Sequence, residues 1–291
     1  MRTIEASELI INPDGSVFHL HLKPGEISNN IILVGDPGRV EIVSSFFDSI
    51  ELTRSNREFV SCTGMYKGQR MTVIATGIGT DNIDIVVNEL DALVNIDFET
   101  RQVKTELTSL NFVRIGTSGS LQKELPVDTW LLSEKAIGFD GLLNFYANRD
   151  AVCDLDFESN FKKALDWNPQ LTAPYVVNAS TSLLNKLDGE KVTKGVTISA
   201  PGFYGPQGRI LRLDLADSDI NNKINQFRQA DLRVTNYEME CSAIYGLSAL
   251  LGHNAATVCV IIANRLAGTA SKDYKPVMKA LIPYVLESLS K

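Results

Sequence analysis

Short apolar runs recur along this chain, and most of them do not alternate with polar residues. They read IILV at 31–34, MTVIAT at 71–76, FVRI at 112–115, TWLLS at 129–133, VTKGVTIS at 192–199 and TVCVII at 257–262. Continuous apolar runs of this length predict strands covered on both faces rather than strands with one wet side. Between them lie helical periods. Ile83, Val86, Val87, Leu90, Leu93 and Val94 follow the i, i+3, i+4, i+7 pattern, with Asp81 as the expected N-cap. Met239, Ala243, Leu247, Leu250 and Leu251 mark a second helix that Gly252 should stop, and a third should run from Pro276 to Leu289 with a kink at Pro283.

Strands interleaved with helices imply an α/β protein built in layers. No Pro/Gly/Ser-rich linker divides the chain, so residues 1–291 are expected to form a single domain. The polar stretch 95–111 (NIDFETRQVKTELTSLN) reads as an exposed insertion between a helix and the next strand.

With 44% apolar and 22% charged residues, the composition is that of a globular protein. The net charge of −7 argues against nucleic acid or an anionic membrane surface as partner, since both are bound by spread positive charge. A small anion needs only two or three local arginines. The N-terminal MRTIEASELI lacks the apolar core of a signal peptide, and the longest apolar run, at 255–263, falls far short of a membrane span. Cys62, Cys153, Cys241 and Cys259 lack metal-ligand or disulfide-framework spacing, which predicts reduced thiols and a cytoplasmic location.

Several stretches carry candidate chemistry. VGDPGRV at 34–40 sets glycine amides and Arg39 at the end of the first strand, where α/β proteins bind ligands. RIGTSGS at 114–120 repeats that logic, and an arginine inside an apolar strand is costly unless it is paired or holds a ligand. TGIGTDN at 76–82 begins like a dinucleotide fingerprint, but Asn82 stands where the third glycine should be. NYEMEC at 236–241 opens the second helix with Glu238 and Glu240, which suit either a solvated first turn or a buried acceptor of ligand hydroxyls. In FHLH at 18–21, His19 and His21 lack the third partner a metal would need. FYGPQGR at 203–209 places Gln207 and Arg209 just after a Gly-Pro turn.

In this order, together with SVFHL at 16–20, SNREF at 55–59 and IIANR at 261–265, these stretches resemble the uridine phosphorylases of the nucleoside phosphorylase-I family. The resemblance implies a three-layer α/β/α sandwich with a central mixed sheet. It also implies cleavage of a nucleoside by inorganic phosphate, without an organic cofactor. Gly35, Arg39, Arg114 and Thr117 would hold phosphate, joined by Arg57 from a neighbouring subunit. Met239, Glu240 and Thr117 would meet the ribose, with the neighbour's His19 at the 5′-hydroxyl. Phe203, Gln207, Arg209 and Arg265 would form the base pocket. Arg39, Arg114, Glu240 and Arg209 would carry catalysis. The assembly implied is a homodimer with shared sites, built further into a hexamer. Relatives with an intersubunit potassium site keep a glutamate like Glu58 but have a serine near Asn82, which leaves a monovalent cation open here.

The expected reaction is uridine plus phosphate to uracil and ribose 1-phosphate, in pyrimidine salvage, with deoxyuridine and thymidine as further candidate substrates. The rival within the family is a purine or broad-specificity phosphorylase. Purine-cleaving members carry an aspartate near the position of Asn264. Readings from outside that activity are an oxidoreductase of the dinucleotide-binding kind, disfavoured by the broken glycine motif, and a nucleoside-binding relative without catalysis.

Overall fold

The computed structural model describes residues 2–291. β1 (Asn30–Val34) leads into α1 (Pro37–Ser44). A meander of β2 (Ser49–Asn56), β3 (Phe59–Tyr66) and β4 (Gln69–Ala75) follows, then α2 (Thr80–Asn95). A small ribbon of β5 (Ile96–Asp97) and β6 (Gln102–Val103) precedes β7 (Asn111–Ser120) and β8 (Trp130–Gly138). Next come α3 (Leu155–Ala164), β9 (Tyr175–Asn178), α4 (Thr181–Leu187) and β10 (Val192–Ser199). The chain ends with α5 (Ile220–Gln226), β11 (Arg228–Gln229), β12 (Leu232–Glu238), α6 (Cys241–Leu251), β13 (Asn254–Asn264), β14 (Thr269–Ala270) and α7 (Lys275–Ser290).

Apart from the β5–β6 ribbon, every strand belongs to one mixed sheet of order β11-β12-β10-β8-β13-β7-β1-β4-β3-β2, with β9 added on β8 and β14 on β13. Its central strands are apolar on both faces. Ile31 and Leu33 of β1 pack with α2 and α6, while Ile32 and Val34 face α1 and α7. All four are fully buried, and each such side chain contributes about 1.5–3 kcal/mol of apolar transfer free energy. The α/β architecture read from the sequence is the one observed.

The sheet also folds back on itself. β12 pairs antiparallel with β7, Asn236 opposite Ser120 and Tyr237 opposite Gly119. That closes β7, β13, β8, β10 and β12 into a ring, which no local pattern announces. Two sequence expectations need correction. Gly79, with φ 99°, takes the cap position of α2, and Asp81 lies inside the first turn. Asn236–Glu238 end a strand instead of opening a helix, so Glu238 and Met239 precede α6. The short α1 and the polar edge strand β2 lack the strong apolar period that would mark them in the sequence. Gly252 does end α6 in the left-handed region, and α7 runs on through Pro283. Among the described residues, no helix is long and apolar enough to cross a membrane.

The 95–111 stretch has an organised role. Asn95 Oδ1 accepts from Thr108 N–H at 2.7 Å and Asn95 Nδ2 donates to the Thr108 carbonyl at 3.1 Å, which ties its two ends together. Arg101, at the ribbon's turn, donates to the carbonyls of Ile4 (2.7 Å), Glu5 (3.0 Å) and Leu9. The ribbon therefore clamps the N-terminal segment. Arg101→Ala should release residues 4–9 while leaving the sheet intact. Limited proteolysis should then cut this segment about 10-fold faster, as expected for the loss of one to two kcal/mol of local protection. An unchanged cleavage pattern would show that the clamp does not hold the segment.

Candidate active site

A cavity of about 670 Å³ opens at the carboxyl ends of β1, β7 and β12. Its first wall comes from the β1–α1 junction. Asp36 caps α1, accepting from Gly38 N–H at 2.9 Å, and Pro37 supplies the helical φ of the first position. This places Arg39 in the first turn, buried, with Nη1 donating to the Ile115 carbonyl at 3.2 Å. No carboxylate among the described residues is ion-paired with it. Burial, and then the charge of Arg114, lower the Arg39 pKa from its ordinary value. A buried guanidinium with a like charge beside it and no paired carboxylate is able to hold an anion.

Arg114 rises from the middle of β7 and folds back over Gly116. A Cβ there would meet Nη1 at 2.0 Å, so any larger residue would push the guanidinium from this place. Its Nη2 bonds Glu240 Oε2, and its Nη1 lies 3.3 Å from Glu238 Oε2. Burial alone would lower Arg114; the charges of Glu240 and then Glu238 outweigh it, and its pKa is raised. Glu238 also accepts from Ser199 Oγ (2.5 Å), Glu240 N–H (2.8 Å) and Cys241 N–H (3.0 Å), which caps α6. Glu240 Oε1 accepts the Gly79 N–H at 2.7 Å. Burial pushes the Glu240 carboxyl up to about 6, against the pull of Arg114 and with the help of Glu238.

The opposite wall is the 203–209 loop. A tight turn at Gly205–Gln207 and the left-handed Gly208 bury Gln207 to 2% exposure. Gln207 Oε1 accepts from Arg209 Nη1 (2.6 Å) and Arg265 Nη2 (3.2 Å), and its main-chain carbonyl accepts from Arg265 Nη1 at 3.2 Å. Arg209 lies over the Phe203 ring, 3.6 Å from its centroid. Burial, then the charge of Arg265, lower Arg209 to about 10.

Gly35, Arg39, Arg114, Thr117, Phe203, Gln207, Arg209, Met239 and Glu240 thus line one cavity, and Arg265 adjoins it through Gln207. Three further contributors, Ser118, Ile78 and Tyr274, are not singled out by the sequence. Ser118, whose Oγ is buried without a partner, lies inside the RIGTSGS stretch, and Glu238, open in the sequence between a solvated and a buried role, is buried. Ile78 is 68% exposed at the rim, and Tyr274 enters from the start of α7 without any local signal. Ile262 and Ala263 of β13 also face the cavity, whereas Asn264 does not line it. Asn264 Nδ2 donates to the carbonyls of Gln122 (2.9 Å) and Leu125 (2.8 Å).

His19 and Arg57 lie together outside this cavity. Asn56 Nδ2 donates to the His19 carbonyl at 2.8 Å, and Arg57 stands 5.6 Å from the centre of the Phe18 ring. Glu58 and the Asn82 amide both approach Gly77.

The sequence profile of the Phosphorylase superfamily matches residues 30–281. The uridine phosphorylase of Thermococcus kodakarensis is 29% identical over 259 residues, covering 89% of this chain and 81% of its own. A DeoD-type purine nucleoside phosphorylase of Listeria welshimeri is 27% identical over 276 residues, covering 94% and 99%. A solved Trypanosoma brucei nucleoside phosphorylase, reported to show uridine phosphorylase activity, is 30% identical with a TM-score of 0.87. The superposition covers 97% of this chain and 99% of that one.

The unpaired Arg39 gives a test of the anion site. Saturating inorganic phosphate, at a hundredfold its Kd, should stabilise the wild-type protein by about 2.7 kcal/mol, read as a rise in Tm. Arg39→Met should lose most of that rise while being no less stable than wild type without phosphate, because it removes a buried like-charge contact. A wild-type Tm that phosphate leaves unmoved would refute the anion site.

Proposed function

Because this chain belongs to the Phosphorylase superfamily, we propose that it is a pyrimidine nucleoside phosphorylase, cleaving uridine with inorganic phosphate to uracil and ribose 1-phosphate. The observation that carries this reading is the buried Gln207 between Arg209 and Arg265. An amide oxygen has two lone pairs. If Arg209 swings from Gln207 to the base O4, Arg265 keeps one lone pair and the other accepts the uracil N3–H. The amide Nε2 donates to O2. This donor–acceptor order matches the edge of a pyrimidine and not that of a purine.

The same contacts serve the reaction. Breaking the glycosidic bond builds oxocarbenium character at C1′ and negative charge on the departing base. That charge spreads to O2 and O4, which Gln207 and the swung Arg209 contact once the base is bound, so these hydrogen bonds strengthen toward the transition state. Phosphate, held by Arg39 and Arg114 with the Thr117 and Ser118 hydroxyls beside it, attacks C1′ from the opposite face as the base leaves. Glu240 accepts from the ribose hydroxyls and keeps Arg114 in place. No protein nucleophile and no organic cofactor is needed for these steps. The DeoD-type relative favours a second reading, a purine or broad-specificity phosphorylase. Against it, Asn264 spends its amide as a donor to main-chain carbonyls, a role an acid at that position could not fill with both oxygens ionised.

The cavity's exposed Ile78 rim and the placement of His19 and Arg57 outside it support a site completed by a second subunit, in a homodimer or a hexamer built of three such dimers. Four free cysteines suit a reducing cytoplasm and a salvage role there.

Uracil release from uridine should require phosphate, with inosine turned over far more slowly. Gln207→Ala should lower kcat/KM for uridine roughly 100-fold or more, since it leaves buried donors unpaired. Equal rates on inosine, or a near-normal Gln207→Ala enzyme, would refute the pyrimidine reading. For the shared site, Arg57→Ala and Arg114→Ala should each be nearly inactive alone. Co-refolded in equal amounts they should recover about a quarter of wild-type activity, because one site of each mixed dimer inherits neither lesion. No recovery, with mixed dimers verified by two tags, would put Arg57 and Arg114 in one subunit's site.

A further inference from the structure

Glu89 takes no part in the reaction derived above, yet it is buried on α2 among Val86, Leu90 and Leu93. A carboxylate in such surroundings is costly unless every acceptor is used. One short segment uses them. Oε1 accepts the His19 N–H at 3.0 Å, and Oε2 accepts the Leu20 N–H at 2.9 Å. His19 Nδ1 lies 2.6 Å from Oε1. The Phe18 and Phe59 rings meet the imidazole edge-on, with centroids at 4.8 and 6.5 Å, and Asn56 holds the His19 carbonyl. Main chain and ring are both fixed, although the His19 side chain keeps 29% of its surface exposed.

A carboxylate offers only acceptors, so Nδ1 is the nitrogen that carries the proton. Nε2 is then left free, with its lone pair outward in the neutral ring. We propose that Glu89 is a positioning residue for His19, fixing the tautomer and ring direction with which His19 meets the 5′-hydroxyl of a nucleoside in the partner's cavity. This rests on the reading that His19 serves a neighbouring site. The helix adds a second consequence. Gly79, at the cap of the same α2, donates to Glu240, and Glu89 lies ten residues further on, about 15 Å along the axis. One rigid rod thus carries a contact of this subunit's own cavity and the histidine it offers to its partner.

Uridine and 5′-deoxyuridine, which lacks the contacted hydroxyl, separate positioning from mere stability. Glu89→Gln keeps the size but turns one acceptor into an NH₂ that opposes either the Leu20 N–H or the His19 Nδ1–H. The ratio of kcat/KM for uridine to that for 5′-deoxyuridine should fall about 10-fold in His19→Ala and by a similar factor in Glu89→Gln. If His19→Ala leaves the ratio unchanged, the ribose role of His19 fails and the proposal with it. If His19→Ala lowers the ratio while Glu89→Gln slows both substrates equally, Glu89 is a structural residue only, and the proposal alone is overturned. Should Glu89→Gln not fold, ¹⁵N imidazole spectra of the wild-type protein decide. The chain has three histidines, so a His19→Ala difference spectrum assigns the signal. A proton on Nδ1 supports the proposal; a neutral ring protonated only on Nε2 overturns it.

Discussion

The buried contact of Arg114 with Glu240 and Glu238 is the constraint around which the site is arranged. Arg114 belongs to a strand whose neighbours are almost wholly apolar, and a guanidinium is tolerable there only with its charge answered nearby. The answering carboxylates sit at the β12–α6 junction, within reach because β12 turns to pair with β7 at Ser120 and Gly119. Closure of the sheet and neutralisation of Arg114 are therefore one event. Removing Arg114 would leave two buried carboxylates unpaired, a defect that costs about 3–5 kcal/mol.

The electrostatics of the cavity follow from the same contact. The chain as a whole is acidic, at −7, yet four arginines converge on one cavity. Two carboxylates are committed to Arg114. Arg39 and Arg209 have no such partner, and both are held below their ordinary pKa, first by burial and then by a neighbouring guanidinium. Positive charge without a paired carboxylate in a low-dielectric cavity suits the binding of an anion.

Burial also assigns the work of the polar side chains. Gln207, Asn264 and Glu89 are all buried and could each pass for a binding group on composition alone. Their partners separate them. Gln207 is held by two arginines at the cavity wall, Asn264 by main-chain carbonyls away from it, and Glu89 by the backbone and ring of His19.

The sequence by itself determined much of the sheet. The runs that became β1, β4, β7, β8, β10 and β13 announce themselves because a strand buried on both faces must be apolar at consecutive positions. α2, α6 and α7 were legible through their helical period, and the motifs exposed most of the cavity lining. β2 was not legible, because an edge strand is polar for reasons of its own. What only the tertiary structure decided are the relations between distant residues. The pairs Arg114–Glu240 and Gly79–Glu240 are 126 and 161 positions apart. No local period encodes such separations. Whether Glu238 ends a strand or opens a helix, which way the Gln207 amide points, and where Tyr274 enters the cavity all depend on the sheet closing, a long-range pairing that local patterns along the chain do not specify.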